Sequence, residues 1–206
     1  RPSRDDPASD LVAGPPTPGA HWEYNDVRVN ALALAALHVF EEPLPEVLRT
    51  RVMEPIGVTS AWVWHGYDTS FVTINGEAMQ SVSGGGHWGG GMWLTAYDQA
   101  RLGLLGARMG DWGGAQILAE DWYERSLTPT ETFPSYGYMN FFLNRPDLDR
   151  AAIRAPSAPQ SAFAYLGAGS NVVFVSPEHD LVAVVRWIEG GERNAFIEQL
   201  MAAVQD

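Results

Sequence analysis

The sequence contains no lysine and no cysteine, and all 13 of its basic residues are arginine. Without cysteine there are no disulfides, thiolate nucleophiles or cysteine-bound metals, while the redox compartment stays open because cytosolic and secreted chains can both lack the residue. Without lysine, a nucleophile that depends on a lysine partner cannot be completed within these residues. Positive charge is scarce in general. Against 25 acidic residues it leaves a formal net charge of -12, which repels a phosphate backbone and an anionic bilayer alike. Neither nucleic acid nor membrane is therefore expected as a partner. No run approaches the ~18 apolar residues of a membrane span. The first residues, Arg1-Pro2-Ser3-Arg4-Asp5-Asp6, carry neither a starting methionine nor the apolar core of a signal peptide and read as a processed or arbitrary beginning. The five histidines, His21, His38, His65, His87 and His179, nowhere take zinc-helix spacing, so no metal is expected.

What is present suffices for a packed core: 206 residues, 46% of them hydrophobic. Residues 1–20, rich in Pro, Gly, Asp and Ser, read as an extended segment, with order beginning near His21. Apolar side chains at Val29, Ala33, Ala36, Leu37 and Phe40 predict a helix over 27–40, with Asn25 or Asp26 as its cap. Pro43 interrupts it, and a second helix over 44–53 ends at Pro55-Ile56-Gly57. Residues 58–82, with Asn75-Gly76, read as short strands and turns. Further helices are predicted over 95–109, where Thr95 and Asp98 have capping-box spacing, and over 119–127. A strand follows over 138–144. Two β-branched runs, 171–175 and 181–187, joined by Ser176-Pro177-Glu178-His179-Asp180, predict a hairpin of buried strands, and 192–204 a closing amphipathic helix.

Several segments carry candidate chemistry. Gly84-Gly85-Gly86-His87-Trp88-Gly89 has the form G-x-G-x-x-G, but no buried strand leads into it and the next helix starts several residues late, so a dinucleotide site is not expected. The run reads instead as a close backbone crossing that side chains would obstruct. His87, between two glycine triplets, is the histidine retained as a site candidate, with Trp88 beside it. The 8 Trp, 7 Tyr and 8 Phe are spread evenly and read mainly as filling between layers, the other reading being a carbohydrate or peptide platform. In the run His21-Trp22-Glu23-Tyr24-Asn25-Asp26, Tyr24 stands where a helix N-terminus could favour its phenolate as a general base. The alternative is a packed tyrosine bonded to a backbone carbonyl.

The order of segments resembles the serine β-lactamase and penicillin-binding-protein-like hydrolases, in their class C and esterase-type branch. The resemblance rests on Pro18-Gly19, Trp22-Glu23-Tyr24-Asn25-Asp26, Glu54-Pro55-Ile56-Gly57, Ser83-Gly84-Gly85-Gly86, and Tyr165-Leu166-Gly167 before the Pro-Glu-His-Asp turn, and spans roughly residues 16–190. It implies an α+β fold with an antiparallel sheet and C-terminal helix beside a mainly helical region. Residues 21–206 then form part of one domain, helical over about 21–130 and sheet-and-helix over about 131–206. Of the family's three site elements, Tyr-x-Asn is matched by Tyr24-Asn25-Asp26, with the acceptor-only Asp26 in the asparagine's place. Lys-Thr-Gly or His-x-Gly is matched by Tyr165-Leu166-Gly167, or by Gly167-Ala168-Gly169 in a shifted register. Neither register supplies the cation, so the strand would offer backbone groups, one of them an oxyanion donor. Ser-x-x-Lys is missing.

The resemblance therefore implies the C-terminal part of a serine hydrolase that cleaves a small-molecule ester or amide through an acyl-enzyme. The nucleophile lies outside this chain, the missing N-terminal part is a possible partner, and no cofactor is implied. A non-catalytic peptide- or glycan-binding protein on the same scaffold is the alternative. A fluorophosphonate probe, with the intact mass of every chain recorded, is expected to label a longer or accompanying chain and leave these 206 residues unmodified; an adduct on them would place the nucleophile inside this sequence.

Overall fold

The computed structural model describes residue 17 and residues 19–58, 61–84, 90–145 and 154–204. They divide into two compact units, residues 1–95 and 96–206.

In the first unit, α1 (Asp26–Phe40) turns Ala33 and Leu37 inward, as its three- and four-residue spacing requires. Asn25 is the cap: its side chain accepts the backbone N–H of Arg28 at 2.8 Å. At the other end Glu41, in the left-handed region, donates its N–H to the Leu37 carbonyl at 2.9 Å. The second predicted helix is two structures. Leu44–Leu48 is α-helical (α2), whereas Arg49–Met53 winds as a π-turn in which Glu54 N–H reaches the Arg49 carbonyl. There the Arg49 guanidinium is held by Glu46 and Glu54, and its hydrogen bond holds the Glu46 carboxyl below the usual carboxylate range.

Strands β1 (Val63–Trp64) and β4 (Met92–Trp93) pair antiparallel. The longer β2 (Gly66–Ile74) and β3 (Glu77–Val82) form a hairpin through Asn75-Gly76, both at positive φ as a two-residue turn of this hand demands. Ala33, Leu37, Leu44, Ile74, Met79 and Val82 make the core between helices and hairpin. The Asn75 side-chain amide donates to Glu41 at 2.8 Å, tying the turn to the end of α1.

In the second unit, α3 (Ala96–Ala107) packs on a four-stranded antiparallel sheet. Two two-residue strands, β5 (Asp111–Trp112) and β6 (Ala115–Gln116), and α4 (Glu120–Ser126) follow the helix. The sheet consists of β7 (Phe141–Phe142), β8 (Phe163–Gly167), β9 (Asn171–Ser176) and β10 (Leu181–Val185), in the order β10-β9-β8-β7. Its core is Ala107, Phe142, Phe163, Val173 and Val175. Gly103 lets α3 come close: a Cβ there would stand 2.7 Å from Val182 Cγ1 and 3.0 Å from Val173 Cγ1. A bidentate pair, Arg108 to Asp180 at 2.9 and 2.7 Å, joins the residue after α3 to the β9–β10 turn. A final helix, α5 (Arg193–Ala203), buries Ile197 completely.

The predicted hairpin of 171–187 is present, but only β9 is buried; β10, at the end of the sheet, is half-buried. The strand expected over 138–144 shrinks to Phe141–Phe142, because Met139 takes a positive φ and Tyr138 N–H turns to the Ser126 carbonyl. The aromatic core is phenylalanine and tyrosine, whereas every described tryptophan is half-buried or exposed. No helix among the described residues is long and apolar enough to cross a membrane.

Phe174 is fully buried in β9. Phe174→Ala is expected to cost the full chain roughly 3–5 kcal/mol of stability in urea denaturation, from lost burial plus the cavity left behind. Val39→Ala, on the solvent face of α1, is expected to stay within about 0.5 kcal/mol.

Candidate active site

Tyr24 lies immediately before the cap of α1, outside any helix or strand, with 44% of its surface exposed. Asp26, the first residue of the helix, is half-buried and adds a negative charge where the helix dipole favours one. Asn25 between them is buried and committed to capping. The run thus projects Tyr24 and Asp26 from one helix start and spends its central side chain on fixing that start.

The next turn of α1 meets the beginning of the glycine run. Gly84 N–H donates to the Asn30 side-chain carbonyl at 2.8 Å, and a Cβ on Gly84 would fall 2.6 Å from the Val29 carbonyl oxygen. The close crossing read from the glycines is therefore present at Gly84. Both ends of the run are anchored by the β1–β2 junction. Trp64 Nε1–H is shared between the carbonyls of Ser83 at 2.8 Å and Gly90 at 3.0 Å. His65 N–H donates to the Gly91 carbonyl at 3.0 Å, and the His65 carbonyl accepts Ser83 N–H at 2.9 Å. His87 and Trp88 lie outside the described residues. A separate groove of about 450 Å³ in this unit is lined by Pro45, Glu46, Arg49, Trp62, Trp64 and His65, none of them a site candidate from sequence. Among the described residues no group of three or more His, Asp or Glu could hold a metal ion.

In the second unit, Tyr165, Gly167 and Gly169 fall on β8 and the turn after it. Tyr165 turns its ring into the core, edge-on to Phe163 at 5.5 Å, with its hydroxyl over Gly106 of α3, where a Cβ would meet it at 3.3 Å. Its side chain is thereby committed to packing. Gly167 pairs with Asn171 and is exposed, as is Gly169, whose φ is +79°. Asn171 Nδ2 donates to the Ala168 carbonyl at 2.6 Å, and Arg193 Nη2 to Ser170 Oγ at 2.9 Å.

The Trp187 ring lies against Gly169, so closely that a Cβ there would stand 2.2 Å from its Cζ3. Neither Trp187 nor Arg193 stands out in the sequence. The one available signal was the glycine itself, since a positive φ with an aromatic ring overhead admits no side chain.

The Beta-lactamase family model matches residues 3–194 of the chain. Among solved structures, a Bacillus anthracis protein that bears the name 6-aminohexanoate-dimer hydrolase is similar at 20% identity, with a TM-score of 0.61 over 91% of this chain. The chain spans 45% of that protein's length. A search of the curated proteins finds no match.

Burial pushes the Tyr165 phenol up to about 12, and burial beside Tyr165 moves Tyr123 upward as well. A folded-state value above the ~10 of an unfolded tyrosine favours the protonated phenol in the fold. The stability this contributes is complete below about pH 10 and is lost as pH rises through about 12. Tyr165→Phe is expected to flatten that fall in the urea midpoint measured against pH; an unchanged slope would refute the assignment.

Proposed function

The chain belongs to the Beta-lactamase family, and from that membership we propose that it is part of a serine hydrolase that cleaves an ester or amide carbonyl through an acyl-enzyme. The observation that carries this reading is the position of Tyr24, exposed at a helix start, inside a family match that runs over residues 3–194. The nucleophilic serine and its lysine partner belong to sequence outside these residues, which contain no lysine. In the first step the serine oxygen bonds to the carbonyl carbon while its proton passes to the Tyr24 phenolate. Tyr24 then returns that proton to the departing alcohol or amine as its bond to carbon breaks. Water attacks the resulting acyl ester by the reverse relay and releases the acid.

In this reading the exposed backbone around Gly167 and Gly169 receives the oxyanion. Tyr165 contributes through its main chain, since its phenol packs over Gly106. Asp26 accepts hydrogen bonds only, and the segment matched to Lys-Thr-Gly or His-x-Gly brings no lysine or histidine to draw in a carboxylate-bearing β-lactam. The substrate is accordingly a simple ester or amide. His87 and Trp88, in the run whose two ends Trp64 anchors, are proposed substrate contacts.

In the full-length protein Tyr24→Phe is expected to lower kcat on a short p-nitrophenyl ester by roughly 10²–10⁴-fold with little change in KM. The wild type is expected to prefer that ester to a cephalosporin. Full turnover in the phenylalanine variant would remove Tyr24 from the mechanism, and a strong preference for the cephalosporin would refute the substrate assignment.

A further inference from the structure

The β8–β9 turn is walled by an aromatic ring carried on a residue of uncommon backbone conformation. β10 ends at Val185, and two residues later Trp187 adopts a φ of +58°, which a bulky side chain seldom takes. Its indole lies along Gly169, where a Cβ would stand 2.2, 2.7 and 2.9 Å from Cζ3, Cε3 and Cη2. The six-membered ring of the indole thus fills the space of the missing side chain. The turn beneath it is braced on both sides, by Asn171 Nδ2 on the Ala168 carbonyl and by Arg193 Nη2 on Ser170 Oγ. Despite this seating, 76% of Trp187 is exposed. An outlier backbone that holds an aromatic ring in water costs stability without gaining burial, and such strain is kept where it serves a site.

We propose that Trp187 is a specificity-determining wall of the substrate site, against which the apolar or aryl part of an ester or amide stacks. The inference rests on the hydrolase reading above, in which the backbone around Gly167 and Gly169 receives the oxyanion. A ring seated on Gly169 then stands beside the substrate's carbonyl, and its open face offers apolar area and π-stacking. Acyl groups large enough to cover the indole gain from it, and an acetyl group does not.

The test compares p-nitrophenyl phenylacetate with p-nitrophenyl acetate in the full-length protein. Trp187→Ala is expected to lower the ratio of the two kcat/KM values by about tenfold, the scale at which a pocket discriminates apolar groups. Trp187→Phe, which keeps a ring at that position, is expected to retain most of the ratio and guards against a folding defect in the alanine variant. An unchanged ratio in a folded alanine variant would overturn the proposal and leave the hydrolase reading intact. Binding of phenylacetamide, followed by saturation-transfer NMR of its ring protons, separates the two ideas without turnover. If the wild type hydrolyses neither ester yet binds the amide in a Trp187-dependent way, the wall stands and the hydrolase reading falls. Absence of both turnover and Trp187-dependent binding overturns the two together.

Discussion

Both units depend on backbone approaches that no side chain could enter. In the first, Gly84 lies on the main chain of α1 at Val29, and the hydrogen bond from Gly84 N–H to Asn30 exists because the two backbones come that close. In the second, Gly103 sets how near α3 comes to the sheet, and Gly169 gives Trp187 its seat. A methyl group at Gly84 or Gly103 would have to displace backbone or branched side chains, which cannot swing aside as the end of a long side chain can, and one at Gly169 would have to displace the Trp187 ring. The 21 glycines of the chain are therefore more than turn formers. Some define the distances at which its elements pack.

Most of the fold was legible because it is written in periodicity and capping. The spacing of Ala33 and Leu37, the cap at Asn25, the β-branched runs of β9 and β10, and the Asn75-Gly76 turn each express a local rule that tertiary packing did not override, whereas Phe40, expected on the same buried face, is exposed. Failures occurred where one residue left its expected conformation. Met139 at positive φ cut β7 to two residues, Trp187 at positive φ ended β10 early, and the Arg49–Met53 turn gained an extra residue between carbonyl and N–H. Such departures have no compositional mark, because none of these residues is of a type that prefers the conformation it adopts.

The placement of Tyr24 and Asp26 at a helix start was legible in the sequence, and the orientation of Tyr165 was not. Tyr24 and Asp26 sit together because three consecutive residues at a helix start can hardly do otherwise. Tyr165 illustrates the opposite case. On a strand, alternate residues face opposite ways, so adjacency in a motif does not fix which side chain reaches a site. Phe163 and Tyr165 share the face toward α3, and the ring a motif would offer to substrate is spent on the core.

The end strand β10 has a consequence for handling the molecule. Its residues Leu181-Val182-Ala183-Val184-Val185 contain no charge, no proline and no bulge, and among the described residues it pairs on one side alone, with β9. Among the described residues no strand pairs with its other side, whose backbone donors and acceptors are a template for any extended chain, including another copy of the same strand. In a concentrated solution of this chain by itself, that edge favours pairing between copies, so the protein's own concentration bears on how long it stays dispersed.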